Sequence, residues 1–309
     1  MQLDPRRLAV LRAVADAGGV LAAAKVLHLT PSAVSQHLAR LESETGVALL
    51  DRSRAAGRRT VGLTAAGRLL AEHAGRVAVV LAEAERDLAA LTGQATGRVV
   101  VAAFPTAMDH LVGPAAAAVH AASPHVRVSV RELDPEPALA ALRAGGVDLV
   151  MTETYPDAPP SGLGGVWLLD DEFRVVTPPE WGSGVDGALS RPWVAGPPGS
   201  AARAALDGLA ARHGVALRRE HECLENPAAL ALVSAGLAAA VVPGLAVPAK
   251  LPAGLRMLEV PAVGARRIGV LYRAGRHEPA PAARVVLDAI SARAERVRAA
   301  GSSASAGTR

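Results

Sequence analysis

The chain has 309 residues, half of them apolar but only seven aromatic, so two or three compact units are possible and their cores must be built from Leu, Val and Ala. The formal charge of +4 sits in one place: residues 1–62 hold nine Lys or Arg against five Asp or Glu and account for the whole excess, a small basic unit ahead of a near-neutral body. Cys223 is the single cysteine, which excludes an intramolecular disulfide framework and any thiolate-clustered metal site.

Asp4-Pro5 is an N-cap and first-turn pair, and Leu8, Leu11, Val14 and Ala15 follow at helical spacing until Gly18-Gly19 ends the run. A second short helix is predicted from Val20 to about Leu27, with Ala23, Ala24 and Leu27 on one face. His28-Leu29 makes a tight turn, Thr30-Pro31 opens a third helix and Gly46 stops it. Residues 47–63 predict two short strands around a basic turn, with Arg54, Arg58 and Arg59 near its tip. From Thr64, itself an N-cap candidate, a long helix runs to about Thr92. Its Leu70, Ala74, Val77, Leu81, Ala84, Leu88 and Leu91 alternate steps of four and three, the seam of a coiled coil. A second copy of the same helix is the economical partner.

Gly93 to Gly97 is a linker, after which strands alternate with helices. Arg98–Ala103 is a buried strand, Thr106 to Ala121 a helix, Val126–Leu133 a strand, Glu136–Ala144 a helix and Val147–Met151 a strand. This βαβαβ order predicts a mostly parallel sheet covered by helices. A second such unit has strands at Phe173–Thr177, Trp193–Ala195 and Ala238–Val242, and helices at Ala201–His213 and Pro227–Ala235. Ile268–Tyr272 is a further strand, a last helix runs to about Arg298, and the tail 301–309 offers nothing to bury and is expected to be disordered.

The third helix carries the first chemical signal. Val34, Leu38 and Leu41 face inward, which leaves Ser32, Ser35, Gln36, Ala39 and Arg40 outward. Small residues allow close approach to a major groove. Gln can pair its donor and acceptor with adenine, and Arg can fork onto guanine or phosphate. The same face would also suit an ordinary solvated bundle helix. The tight turn before it, the basic turn after it and the long seam together favour double-stranded DNA.

These blocks carry a family resemblance. AAAKVLHLTPSAVSQHLARLESETGVALLDR followed by VGLTAAG, within residues 8–67, resembles the N-terminal domain of the LysR-type transcriptional regulators. The resemblance implies an α/β protein with a winged helix-turn-helix at 1–63, a dimerising linker helix at 64–92, and an effector domain at 93–300. That last domain is expected to have two α/β subdomains, about 93–166 with 268–300 and about 167–267, resembling periplasmic binding proteins. It also implies a sequence-specific DNA-binding regulator, a homodimer or homotetramer, that answers to a small-molecule effector. Thr30, Pro31, Ser32, Ser35, Gln36 and Arg40 fall where the family's recognition helix meets DNA. Arg52, Arg54, Arg58 and Arg59 fall on its wing. Gly19, Pro31 and Leu50 depart from the residues usual in the family, Ser, Gln and Phe, so the preferred DNA sequence does not follow.

Two α/β subdomains joined by crossing strands, set near Trp167–Phe173 and Ala265–Gly269, create a cleft. FPTA leads a strand into a helix, so Pro105, Thr106 and Ala107 lie where backbone N–H groups are unpaired, and Gly199-Ser200 opens another helix in the same way. Helix N-termini with hydroxyl donors suit a small carboxylate, although Thr106 and Ser200 would serve equally as plain N-caps. Asp134, Glu153 and Asn226 are rim candidates at strand or helix ends, where turn and capping roles compete.

Other chemistry finds no support. HEC at 221–223 lacks the paired cysteines of a zinc deaminase, and no nucleophile elbow, Walker A loop or G-x-G-x-x-G fingerprint occurs. Asp170-Asp171-Glu172 reads as a solvated acidic turn, and Cys223 as a small apolar side chain. No cofactor, metal, membrane partner or enzymatic activity is expected. The opening MQLDPRRLAV has no apolar stretch of signal-peptide length and no later run approaches a membrane span, so the expected compartment is the cytoplasm. The alternative is an architectural DNA-binding protein whose α/β half serves only oligomerisation.

Overall fold

In the computed structural model, which describes residues 3–51, 62–91, 95–261, 263–275 and 279–306, the chain begins with a capped helix. The Asp4 carboxylate accepts from the Arg6 N–H and Pro5 opens α1 (Pro5–Ala17), which ends on Gly18 at φ 74. Next come α2 (Val20–Val26) and, across a turn in which His28 takes φ 53, α3 (Pro31–Thr45). Short strands β1 (Leu50–Asp51) and β2 (Gly62–Leu63) pair antiparallel and lead into α4 (Ala65–Leu91). Leu8, Leu11 and Val14 of α1, Val34, Leu38 and Leu41 of α3, and Ala71 and Ala74 of α4 form one buried core. Each leucine so buried stabilises by about 2–3 kcal/mol.

Two polar devices fix the path from α3 to α4. The Glu42 carboxylate accepts from the N–H groups of Leu49 and Leu50 at 2.8 and 3.0 Å, holding the first wing strand against α3. The Thr64 hydroxyl donates to the Ala48 carbonyl and accepts from the Gly67 N–H, so it caps α4 as its sequence position suggested. Gly67 is needed there, because a Cβ would lie 2.2 Å from the Leu49 carbonyl oxygen.

The seven-residue seam of α4 divides. Leu70 and Ala74 pack into the core of their own chain, whereas Val77, Leu81, Ala84 and Leu88 are exposed, Leu81 by 50% and Leu88 by 65%. Helix α4 spans about 40 Å, and its first turns pack on α1.

The described residues divide into two compact units, Met1–Gln94 with Ala140–Gly146, and Ala95–Leu139 with Val147–Arg309. The elements after α4 are β3 (Gly97–Ala103), α5 (Pro105–Ala107), a π-helical turn (Met108–Val112), α6 (Gly113–Ala122), β4 (Val126–Glu132), α7 (Pro135–Arg143) and β5 (Leu149–Thr152). They continue as β6 (Leu163–Thr177), α8 (Val185–Leu189), β7 (Pro192–Ala195), α9 (Ala201–His213), β8 (Arg218–Glu222), α10 (Asn226–Ser234) and β9 (Ala239–Pro243). The short β10 (Arg256–Met257), β11 (Ala265–Arg273) and α11 (Pro281–Ala306) complete the chain.

The sheet is mixed, with order β4-β3-β5-β11-β6-β9-β7-β8 and β10 on the side of β6. Its two βαβ layers are parallel as expected, β3 with β4 and β5, and β7 with β8 and β9. The joining strands are antiparallel to their neighbours, which corrects the mostly parallel reading. β6 pairs with β11 from Leu163 to Glu172 and with β9 from Phe173 to Val176, so one strand serves both halves. The Leu163–Glu172 stretch and β8 carry no alternating apolar signal. β8 reads RREHE, which suits an exposed sheet edge where charges discourage further pairing.

One core lies where α6 and α11 cover the first half, around Val101, Leu111, Ile268, Val286 and Ile290. In the second half the period of two separates two clusters. Val175 and Val241 join Trp193 and Leu206 on one face, while Val176 and Val242 join Val233 on the other. The helix predicted from Thr106 contains a π turn because Pro114 has no N–H and its ring crowds the His110 carbonyl. That carbonyl accepts from Arg293 Nε at 2.9 Å instead. The last helix passes Arg298 and continues to Ala306, since elongation from an anchored helix adds a backbone hydrogen bond per residue and needs no buried face.

Gly67→Ala should lower the thermal midpoint, by overpacking worth about 1–3 kcal/mol, while Gly75→Ala, where a Cβ meets nothing within 4 Å, should hold or raise it. Equal midpoints for the two variants would refute the tight α4 contact.

Candidate functional site

The outward face of α3 is free of its own core. Thr30 is the N-cap: its hydroxyl oxygen accepts from the Ala33 N–H at 3.2 Å and lies 2.9 Å from the Ser32 hydroxyl. The Ser35 hydroxyl donates to the Pro31 carbonyl at 2.9 Å, so these three small side chains are held close to the backbone. Ser32, Gln36 and Arg40 form an exposed stripe at steps of four, with Ser35 and Ala39 beside it. Among the described residues no side-chain bond engages Gln36 or Arg40. The exposed edge of Pro31 completes the set. Arg52, Arg54, Arg58 and Arg59 lie outside the described residues, beyond the β1–β2 stem.

In the second unit a cleft of about 1080 Å³ opens between the two halves of the sheet. It is not filled by side chains, so the alternative of an α/β half that serves only oligomerisation gains no support from it. Pro105, Thr106, Asp134, Glu153, Gly199, Ser200 and Asn226 all line it. Ala107 does not: it is wholly buried in the core beneath, because it lies one residue further round the same turn. Ser200 caps α9 by accepting from the Arg203 N–H at 3.2 Å, after Gly199 at φ 83. Phe104, not Thr106, occupies the N-cap of α5, and it offers no side-chain bond there.

The floor of the cleft holds a residue that the sequence did not single out. Arg266, only 5% exposed, stands opposite Asp171 in the β11–β6 register. Its Nε donates to Asp171 at 2.9 Å, its Nη1 to Glu153 at 2.7 Å and its Nη2 to the Thr106 hydroxyl oxygen at 2.7 Å. The Phe104 ring lies 5.1 Å from the guanidinium carbon, a cation–π distance. Asp171 is equally buried and also accepts from the Leu245 N–H at 3.0 Å. The acidic run 170–172 is therefore strand and not turn. Asp170 accepts from the Trp167 indole, Glu172 pairs with Arg174, and Asp171 alone points inward. Strand alternation around Asp171 and Arg266 was the available signal, but an inward charge contradicts the usual pattern unless its partner strand is known. The Thr106 oxygen is the acceptor in the bond to Arg266, which leaves its hydroxyl proton able to donate elsewhere. Cys223 also lines the cleft and is half-buried.

Two family models match the chain: residues 5–68 match the bacterial regulatory helix-turn-helix protein, lysR family, and residues 92–295 match the LysR substrate binding domain. Among curated proteins, an uncharacterised HTH-type transcriptional regulator of Mycobacterium tuberculosis is 32% identical over 302 residues, covering 92% of this chain and 95% of the relative. The HTH-type transcriptional regulator CrgA of Neisseria meningitidis serogroup B is 31% identical over 192 residues, 59% of this chain and 58% of that one. Among solved structures, full-length CbnR complexed with its target DNA is similar with a TM-score of 0.65 at 24% identity, over 94% of this chain and 100% of that chain. A probable transcriptional regulator from Pseudomonas aeruginosa has a TM-score of 0.68 at 20% identity, over 94% and 97% of the two chains. At these identities the structural likeness concerns the fold.

Arg266→Met should leave Asp171 buried without its counter-charge and cost about 3–5 kcal/mol in urea unfolding. Glu153→Gln, at the wetter end of the network, should cost about 1 kcal/mol or less. An Arg266→Met protein as stable as the parent would show that the network is dispensable.

Proposed function

The chain belongs to the LysR family of bacterial transcriptional regulators, and from that premise we propose how its own residues carry the function of a DNA-binding regulator that answers to an effector. Helix α3 enters the major groove. Gln36 and Arg40 meet base edges, Ser32 and Ser35 allow the close approach, and Thr30 and Pro31 sit at the backbone where the helix begins. The observation that carries this reading is the exposed Ser32–Gln36–Arg40 stripe, with both long side chains unengaged among the described residues. Its opposite face is pinned by Val34, Leu38 and Leu41, each fully buried. Arg52, Arg54, Arg58 and Arg59 neutralise phosphates and set position without reading sequence.

Two copies associate through the exposed stretch of α4 from Val77 to Leu88, which would hold two recognition helices at a fixed separation. Burying such a row of leucine and valine against its own copy accounts for an apolar stripe that a monomer would leave in water. The cleft of the second unit takes a small-molecule effector, with Pro105, Thr106, Asp134, Glu153, Gly199, Ser200 and Asn226 around it. An effector acts here only by binding one degree of cleft closure better than another, which then alters the assembly that DNA selects. No described helix is long and apolar enough to cross a membrane, and a cytoplasmic location suits a protein that must reach DNA.

A duplex from upstream of the gene should bind far more tightly than a scrambled one, with affinity falling steeply as salt rises. Gln36→Ala should narrow the gap between the two duplexes by about 1–3 kcal/mol, and Arg58→Ala should weaken both alike and lower the salt slope by about one. Equal binding to both duplexes by the parent protein would sink sequence-specific recognition. Leu81→Glu combined with Leu88→Glu should convert the dimer to a monomer in sedimentation. A variant that still sediments as the parent does would place the dimer contact elsewhere.

A further inference from the structure

The charge on the cleft lining is opposite to the one that helix N-termini alone suggest, and we propose that the effector is an organic cation, an amine or amidine carried on an apolar body. This rests on the reading of the cleft as the effector site; the cavity supplies the site and its lining supplies the class.

Among the described residues the lining contains four carboxylates, Glu132, Asp134, Glu153 and Glu225, and a single cationic side chain, Arg266. That guanidinium already bonds Asp171, Glu153 and Thr106, with the Phe104 ring against it. A carboxylate ligand reaching Arg266 would come up against Glu153 and Asp171, adding an anion in a place that already holds more negative than positive charge. Glu132, Asp134 and Glu225 are exposed to the cleft, and among the described residues no ion pair or side-chain hydrogen bond engages any of them. They come from both walls. Glu132 and Asp134 stand at the end of β4 and the approach to α7, and Glu225 stands just before α10.

The rest of the lining defines the ligand's body. Met151, Phe173, Val194 and Leu224 lie along it, and with Phe104 the cleft holds both phenylalanines of the chain. An apolar wall with carboxylates at two rims fits an ammonium or amidinium at the end of a hydrocarbon or aromatic group. The same charges explain how such a ligand would act. Closing the cleft without a cation would move Glu225 toward Glu132 and Asp134 and be opposed by their repulsion. A cation between them turns that repulsion into attraction and so binds the closed form better, which is the differential affinity a regulator needs.

The test uses thermal unfolding of the full-length protein with matched probes: benzamidine, benzoate and benzamide, and phenethylamine, hydrocinnamate and phenethyl alcohol. The cationic member of a set should raise the midpoint by about 2–5 °C near ten times its dissociation constant. The rise should shrink as salt is raised from about 50 to 500 mM. It should be lost in the triple variant Glu132→Gln, Asp134→Asn, Glu225→Gln. A carboxylate or neutral member that stabilises as much or more, with its shift abolished by Thr106→Val, overturns the cationic class and leaves the cleft as the effector site. A cation shift that persists undiminished in the triple variant overturns the assignment of the three carboxylates. No shift from any probe, in protein that still prefers the upstream duplex to the scrambled one, overturns the cation together with the effector cleft and leaves DNA recognition standing.

Discussion

The second unit depends on one buried guanidinium. Arg266 reaches across the β6–β11 pair to Asp171, and from there to Glu153 beyond β5 and Thr106 in the first turn after β3. Removing two charges from water is costly, and an apolar pair of the same volume would often hold such strands together as well or better. A buried ion pair adds a heavier penalty for a wrong register than an apolar pair would. A slip of a single residue between β6 and β11 would turn Arg267 inward and leave Asp171 buried alone. We read the network as the device that fixes the crossing strands, on which both walls of the cleft are mounted.

The position of that network also shapes the cleft chemically. Arg266 already bonds Asp171, Glu153 and Thr106 of its own chain, and the other charged residues of the lining among those described are carboxylates. The ion-pair network and the cleft thus share residues: Glu153 and Thr106 bond Arg266 and also line the cavity. The fold cannot adjust the one without disturbing the other.

In the first unit the governing constraint is closeness of backbone. Glu42 gathers the N–H groups of Leu49 and Leu50, and Gly67 admits the Leu49 carbonyl where any Cβ would collide. The wing stem is thereby tied to both α3 and α4. With Leu70 and Ala74 drawn into this core, the lower part of the long helix is rigidly part of its own chain, while Val77 onward is left for another surface.

Much of this was legible in the residues themselves. Local patterns located α1, α3 and α9, the N-cap roles of Asp4, Thr30, Thr64 and Ser200, and the outward face of α3, because caps and helical periods are set by neighbours within a few positions. Seven of the eight residues placed at the cleft from the sequence do line it, since strand and helix ends are visible as composition changes, whereas Ala107 lies beneath it and Glu132, Glu225 and Arg266 were missed. What the tertiary structure alone decided was anything that depends on a distant partner. The strand RREHE exists because it lies on an edge beside β7, and the crossing expected near Trp167–Phe173 begins as early as Leu163 because β11 returns to pair with it. The coiled-coil seam looked uniform until α1 claimed its first members. Asp171 and Arg266 are the sharpest case: each looks like a surface charge in its own segment, and only their juxtaposition across 95 residues makes burial of either tolerable. Short-range periodicity is written in one stretch of chain, whereas the sign of a buried field is a sum over residues that only folding brings together.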